Sequence, residues 1–280
     1  MSFKIETVDY KSENAGYNFA NSLHKTGFAI LKNHPLDFDL IKVVYSEWES
    51  FFNSQEKLDY TFNPKTQDGY FPFMSENAKG FPDKDLKEFF HFYEWGLFPS
   101  NISKKTVMLY HQLMAIAREL LVWIDANSPN KVKSSFSKPL FNMITDSTMN
   151  LMRIIHYPPL QNDAGNSIRA AAHGDINLIT LLVAGSQPGL QVLNMENEWI
   201  DVNCNPGWLV INTGDMLQEC SQGYYPSTIH RVINPKSDSD NKSRYSLPLF
   251  IHPKNEIKLS DKYTAKSFLD ERLYEIGLKE

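Results

Sequence analysis

Cysteine is scarce in this chain. Its 280 residues include only 2, Cys204 and Cys220, too few for a disulfide framework at this length and without the CxxC spacing of a zinc ribbon. A basic excess is also missing. The 28 Lys+Arg stand against 33 Asp+Glu, a formal net charge of −5, which argues against a nucleic-acid partner, because such proteins carry a basic patch or stripe. The short runs Lys104-Lys105 and Lys131/Lys133 read as solvated faces. No window approaches the ~18–20 apolar residues of a membrane span. The first ten residues have no apolar h-region and carry acids early, so no secretory signal is expected. Repeats and low-complexity tracts are missing too. These absences leave a soluble, cytoplasmic globular protein with neither a membrane nor a nucleic acid as partner.

What is present fits that class. Hydrophobic residues at 42% and charged residues at 22% match ordinary globular usage and exclude disorder. Aromatics at 13% suit a substantial core or an aromatic-lined pocket. The length fits one large domain or two intimately packed ones. Mild acidity does not forbid an anionic small molecule, since one well-placed Arg can reverse the local field.

The first third reads as mixed α and β. Phe28–Leu31 is a short buried strand, and Asp37 or Asp39 caps a helix whose apolar face is Leu40, Ile41, Val44, Trp48, Phe51 and Phe52. A second helix is predicted from about Ser103 to Ala126, with a core stripe from Leu109 to Ile124. The polar segment 127–135 is the best boundary. Beyond it come short strands at Leu151–His156, Ile176–Val183, Gly189–Leu193, Trp208–Asn212 and Tyr245–Ile251, separated by turn signals that include 162–165 and 187–189. That texture favours an antiparallel sandwich or barrel over βαβ units. A last helix starts at Thr264, with Ala265, Phe268, Leu269, Leu273 and Ile276 on one face and Gly277 as its stop. The run Lys236–Ser243 reads as an exposed loop.

The sharpest chemistry lies in the β-rich part. His173-Gly174-Asp175 precedes the apolar run Leu178–Val183, and His230 lies far along the chain in Thr228-Ile-His230-Arg-Val232. Residues i and i+2 of a strand share a face, so His173 and Asp175 can project together into a barrel interior. His230 would complete a set of two imidazoles and one carboxylate with open positions, the arrangement suited to non-haem Fe(II) and oxygen chemistry. Chance alone supplies about half of one His-x-Asp pair in such a composition. Spacing therefore leaves ligation and packing both open. His156 and His91, in apolar contexts, read as hydrogen-bonded packing residues.

Arg244-Tyr245-Ser246 opens the apolar strand Leu247–Ile251. Arg and Ser again share a face, and a guanidinium beside a hydroxyl is what a carboxylate at the bottom of a pocket needs. The other reading is a surface salt bridge. An Arg inside an apolar strand is costly unless paired, which makes an anionic ligand a reasonable partner.

With these pieces in order, the segment Met152–Ile251 resembles the oxygenase core of the isopenicillin N synthase-like, Fe(II)/2-oxoglutarate-dependent dioxygenase superfamily. The resemblance rests on Arg153-Ile-Ile-His-Tyr157-Pro-Pro159, His173-Gly-Asp175, Pro188-Gly-Leu-Gln-Val192, Asn212-Thr-Gly-Asp215, His230-Arg-Val232 and Arg244-Tyr-Ser246. Gly27-Phe28, Asn33-His34, Phe51-Phe52, Gly69-Tyr70, Asp85–Glu88 and the tail 270–278 extend it over nearly the whole chain. It implies a mainly β protein with flanking helices: a distorted jelly-roll (double-stranded β-helix) core at 127–254, an N-terminal mixed α/β helical cap at 1–126, and a C-terminal helix at 255–280 packed on the same body. It also implies iron on His173, Asp175 and His230, with 2-oxoglutarate as co-substrate on Arg244 and Ser246, Tyr157 assisting, and O2 consumed. No catalytic residue beyond the metal ligands is implied.

The family's frequent Asn two residues before this Tyr is Ile155 here, and the gap between His230 and Arg244 is a few residues longer, taken up by the polar loop. The implied reaction is oxidation of a small organic substrate by hydroxylation, desaturation or ring closure, with release of succinate and CO2. The alternatives are a 2-oxoglutarate-independent oxidase of the isopenicillin N synthase type, a non-catalytic jelly-roll binding protein, and a zinc hydrolase, which lacks an obvious general-base carboxylate. By family position, Phe71, Phe73, Leu190, Phe250 and the tail helix are candidate pocket walls.

Overall fold

The computed structural model describes residues 3–77, 83–160, 167–184 and 187–275. The expected turn at 162–165 and the helix stop at Gly277 lie outside these residues. In chain order the elements are β1 (Thr7–Asp9), α1 (Ala15–Thr26), β2 (Phe28–Lys32), α2 (Phe38–Asn53), β3 (Gly69–Phe71), β4 (Glu88–Phe92), α3 (Lys105–Asn127), α4 (Asn130–Lys133) and α5 (Leu140–Ile144). They continue with β5 (Leu151–Tyr157), β6 (Ala170–His173), β7 (Ile179–Val183), β8 (Leu190–Leu193), β9 (Trp199–Asp201), β10 (Leu209–Thr213), α6 (Asp215–Cys220), β11 (His230–Val232), β12 (Arg244–Ile251) and α7 (Ala265–Glu275). Eight strands form one sheet in the order β1-β2-β10-β7-β12-β5-β4-β3, and four form a second in the order β6-β11-β8-β9. Apart from the parallel pair β1–β2, the named pairings are antiparallel. This is the double-stranded β-helix, with β1–β4 extending the larger sheet at both edges.

The two-residue period of the strands decides what faces the site. On β12, Tyr245, Leu247, Leu249 and Ile251 join a core shared with α1, α2, α3 and α5, whereas Arg244, Ser246, Pro248 and Phe250 line a pocket on the other face. On β5, Met152 and Ile154 face the helices, while Arg153, Ile155 and Tyr157 face the pocket. A smaller apolar cluster, including Phe28, Ile155, Val192 and Val232, packs between the two sheets. The β5–β12 pairing runs from Arg244–Tyr157 to Ser246–Ile155 and resumes at Leu249–Met152. It lapses around Pro248, which has no N–H to donate.

Local chemistry accounts for two helix ends. Asp37 caps α2, its Oδ1 accepting from the N–H groups of Asp39 at 2.9 Å and Leu40 at 3.1 Å. Gly27 ends α1 in the left-handed region at φ 69°. Three expectations need correction. The segment 127–135 is no open connector: α3 runs through Asn127 and α4 follows at once, pinned by buried Val132. Of the expected face of α7, Ala265 and Phe268 are buried and Leu269 packs partly buried against the core, while Leu273 is not part of it; Ile276 lies outside the described residues. By length and composition, α3 does reach what a membrane crossing needs, with mean hydropathy 1.3. It is nevertheless the central core helix, its stripe from Leu109 to Ile124 buried against neighbouring elements.

Candidate metal centre and its pocket

His173 ends β6 and His230 begins β11, and the two are cross-strand partners with ring centroids 4.5 Å apart. Asp175 follows in the turn before β7. Its Oδ1 lies 3.9 Å from His173 Nε2 and 3.8 Å from His230 Nε2, and one donor atom from each residue falls within 4.8 Å of the others. Each imidazole is held from behind. Nδ1–H of His173 donates to the Ala171 carbonyl at 2.7 Å, and that of His230 to the Thr228 carbonyl at 3.2 Å. Because a carbonyl can only accept, both rings present the Nε2 lone pair to the cluster.

The carboxylate is oriented in the same way. Asp175 Oδ2 accepts from Thr180 Oγ1 of β7 at 2.5 Å and from Asn212 Nδ2 of β10 at 2.7 Å, which leaves Oδ1 for an ion. The main chain grips the same turn: the N–H of Asp215 donates to the Asp175 carbonyl at 2.7 Å and that of Gly214 to the Leu178 carbonyl at 2.9 Å. A Cβ on residue 214 would stand 2.1 Å from the Asn177 carbonyl oxygen, so this approach requires glycine. The grip also explains why residues 176–178, expected as strand, form a turn and β7 starts at Ile179.

Burial works to raise the Asp175 pKa, but His230, His173 and the Thr180 and Asn212 donors outweigh it and hold the carboxyl below its ordinary value. Burial, then the neighbouring His230, lower His173 to about 4, so it is a neutral ligand near pH 7. Two imidazole nitrogens and a carboxylate oxygen converge with one side open to the pocket, and this donor set fits a ferrous ion. Replacing Thr180 by Val or Asn212 by Leu frees Oδ2 to swing; Fe(II) affinity, measured by titration, is expected to fall about 10- to 100-fold.

Arg244, Ser246 and Tyr157 line the same pocket as the trio. Arg244 is only 3% exposed. Its Nε donates to the Gln187 carbonyl at 3.1 Å, and its Nη1 is buried without an acceptor. Its guanidinium carbon lies 5.1 Å from the centroid of the Tyr157 ring. A carboxylate would supply the missing acceptor, so this end of the pocket fits a dicarboxylic co-substrate. Ile155 stands opposite Ser246, leaving that wall apolar where the family often has Asn. Of the expected walls, Leu190 and Phe250 line the pocket; Phe71 packs in the inter-sheet cluster and Phe73 is exposed. The polar loop after His230 carries Asn241, whose amide bonds both backbone polar groups of Leu160.

Sequence reasoning gave no role to Thr180 or Asn212, and it missed an ionic network at the opposite end. Lys87 Nζ lies 2.8 Å from Glu76 Oε2 and 2.8 Å from Asp85 Oδ2. Arg153 reaches the two Glu76 oxygens at 3.1 and 3.4 Å and donates from Nε to His91 Nε2 at 2.8 Å, while His91 Nδ1–H donates to the Gln67 carbonyl at 2.7 Å. Burial, then Arg153, hold the His91 pKa well below 6.5. The unfolded chain takes up this proton near pH 6.5 and the folded chain does not. His91 therefore favours folding fully above that pH, and its contribution is lost as the pH falls below it, by up to about 1.4 kcal/mol per unit. Urea unfolding at pH 7 and pH 5 is expected to show this loss, with a smaller slope in His91→Gln.

Residues 148–253 match the family model described as the 2OG-Fe(II) oxygenase superfamily, and residues 5–111 match the model for the N-terminal region of non-haem dioxygenases in morphine synthesis. A solved protein of Shewanella oneidensis assigned to the oxygenases is 47% identical, with TM-score 0.89 over 98% of this chain and 99% of that one. A solved protein of Caulobacter crescentus assigned to the 2OG-Fe(II) oxygenase family is 32% identical, with TM-score 0.81 over 97% and 99%. A 2-oxoglutarate-Fe(II) type oxidoreductase of Emericella nidulans is 34% identical over 144 residues, which is 50% of this chain and 38% of that protein. The match thus spans well under two thirds of the curated relative's length.

Proposed function

We propose, since the chain belongs to the 2OG-Fe(II) oxygenase superfamily, that it is an oxidoreductase that couples oxidation of a small organic substrate by O2 to conversion of 2-oxoglutarate into succinate and CO2. His173, Asp175 and His230 would hold the iron; Arg244 and Ser246 would hold the distal carboxylate of 2-oxoglutarate. When bound, iron and 2-oxoglutarate together supply the oxidising power that attacks a substrate C–H bond.

The chain's own contribution is placement. Ala171 and Thr228 fix the imidazoles, and Thr180 and Asn212 fix the carboxylate. Buried Arg244 sets the depth at which a dicarboxylate lies. The apolar walls, Leu182, Leu190, Val232 and Phe250 among them, keep water from the reacting atoms.

One observation carries the reading. A buried guanidinium with an unpartnered Nη1 opens on the same pocket as the two-histidine, one-carboxylate trio. The test is anaerobic titration of the Fe(II)-loaded protein with 2-oxoglutarate, followed by succinate measurement in air. A weak visible charge-transfer band and substrate-stimulated succinate are expected. Substrate-dependent O2 uptake with neither band nor succinate would point to the 2-oxoglutarate-independent oxidase, and the absence of both signals sinks the proposal.

A further inference from the structure

The pocket's charges are unevenly placed. Among the described residues lining it, Lys87, Arg153 and Arg244 are cationic, and Asp175 is the one carboxylate, already assigned to the metal. Glu76 and Asp85, which balance Lys87 and Arg153, are not in its wall. The network is therefore neutral as a whole but presents its positive side to the cavity.

Hydrogen-bond capacity agrees. Arg153 has five N–H groups and uses one on His91 and one from each Nη on Glu76. Lys87 has three and uses two, on Glu76 and Asp85. Donors remain on both. They are also held in place: His91 is locked as an acceptor from Arg153 by its own bond to Gln67, and Asp85 Oδ1 accepts from the N–H of Ala171 on β6 at 2.9 Å, two residues before His173. Aromatic faces flank the guanidinium, with Phe89 4.4 Å and Phe250 5.7 Å from its central carbon.

Arg153 is separate from the Arg244 end, and Lys87, next to the Glu88–His156 pair, stands between the two and turns its side chain to Glu76 alongside Arg153. Arg153 and Tyr157 share a face of β5 four residues apart, about 13 Å. Phe250 pairs with Thr180, the residue that holds Asp175, so the Arg153 end lies at the level of the metal ligands.

We propose that Lys87 and Arg153 form the subsite for the substrate to be oxidised, and that this substrate is a small organic acid. Its carboxylate would meet Arg153 and Lys87 while its carbon skeleton lies along Phe250 toward the metal. The inference rests on the oxygenase reading and names its substrate class.

The test reads binding without turnover. Fe(II) protein saturated with 2-oxoglutarate under nitrogen is titrated, by ligand-observed NMR, with benzoate against benzamide and with cyclohexanecarboxylate against its amide. Each acid is expected to bind at least tenfold more tightly than its amide. Arg153→Gln should abolish that preference, and Arg153→Lys, which keeps the charge but not the fork, should weaken the acid while retaining it. If the Gln variant fails to fold, the Lys variant decides. Equal binding of acid and amide, binding of neither up to about 10 mM, or acid affinity indifferent to Arg153 overturns the proposal. The oxygenase reading fails separately, through the missing charge-transfer band in wild-type protein.

Discussion

Asp175→Asn is expected to lose Fe(II) and 2-oxoglutarate turnover together, although Asn matches Asp in shape. The reason lies in what surrounds each oxygen. Oδ2 takes two donors, the Thr180 hydroxyl and the Asn212 amide, and Oδ1 faces the two Nε2 atoms. If the Asn oxygen stays with Thr180 and Asn212, its NH2 group points where the ion must sit and offers no lone pair. If the amide flips, NH2 faces the Asn212 NH2, leaving buried donors opposed. Both arrangements also discard the negative charge that balances a divalent cation. Loss of an outer partner costs metal sites about 10- to 100-fold, so loss of this ligand should exceed about 100-fold. Calorimetric Fe(II) titration and a succinate assay read it. Iron affinity within tenfold of wild type would remove Asp175 from the ligand set.

How far the sequence reached depended on the range of each signal. The alternation on β12 and β5 is local: apolar Leu247, Leu249 and Ile251 interleave with Arg244, Ser246 and Phe250, so the shared face of Arg and Ser was legible. The face of β4 was not. Glu88-Phe-Phe-His-Phe92 is buried on both sides, because the helix-covered core takes Phe90 and Phe92 while the inter-sheet cluster and Arg153 cover Phe89 and His91, and a strand covered on both sides has no period to read. The meeting of His173 and His230 depends on cross-strand register, which no local window encodes; only the family resemblance supplied it. The Lys87–Glu76–Arg153 network draws on two strand-flanking segments and β5, so its charges looked like scattered surface residues. Residues 176–178 carry a strand's composition, yet the backbone of Gly214 and Asp215 bends them into the turn that presents Asp175.

Arg244→Met should produce two effects of opposite sign. With 2-oxoglutarate present, the variant loses the buried donor for the distal carboxylate. Removing one member of a buried, hydrogen-bonded charge pair costs about 2–5 kcal/mol, so 2-oxoglutarate affinity should drop from about thirtyfold to several thousandfold. Without the ligand the direction reverses. Arg244 Nη1 then has no acceptor, and a second buried guanidinium stands near it: burial, then Arg244, lower the pKa of Arg169, whose own Nε is also unpartnered. Replacing a buried cation that lacks a counter-charge with an apolar side chain of similar length is neutral or stabilising. Ligand-free Arg244→Met is therefore expected to melt no lower than wild type. The wild type should gain about 2.7 kcal/mol from 2-oxoglutarate at a hundred times its Kd, and the variant should gain at most about 0.9 kcal/mol at the same concentration. Thermal melts of both proteins, with and without 2-oxoglutarate, test this directly. A variant that is less stable when empty yet keeps the ligand response would make Arg244 a structural residue and move the co-substrate elsewhere in the pocket.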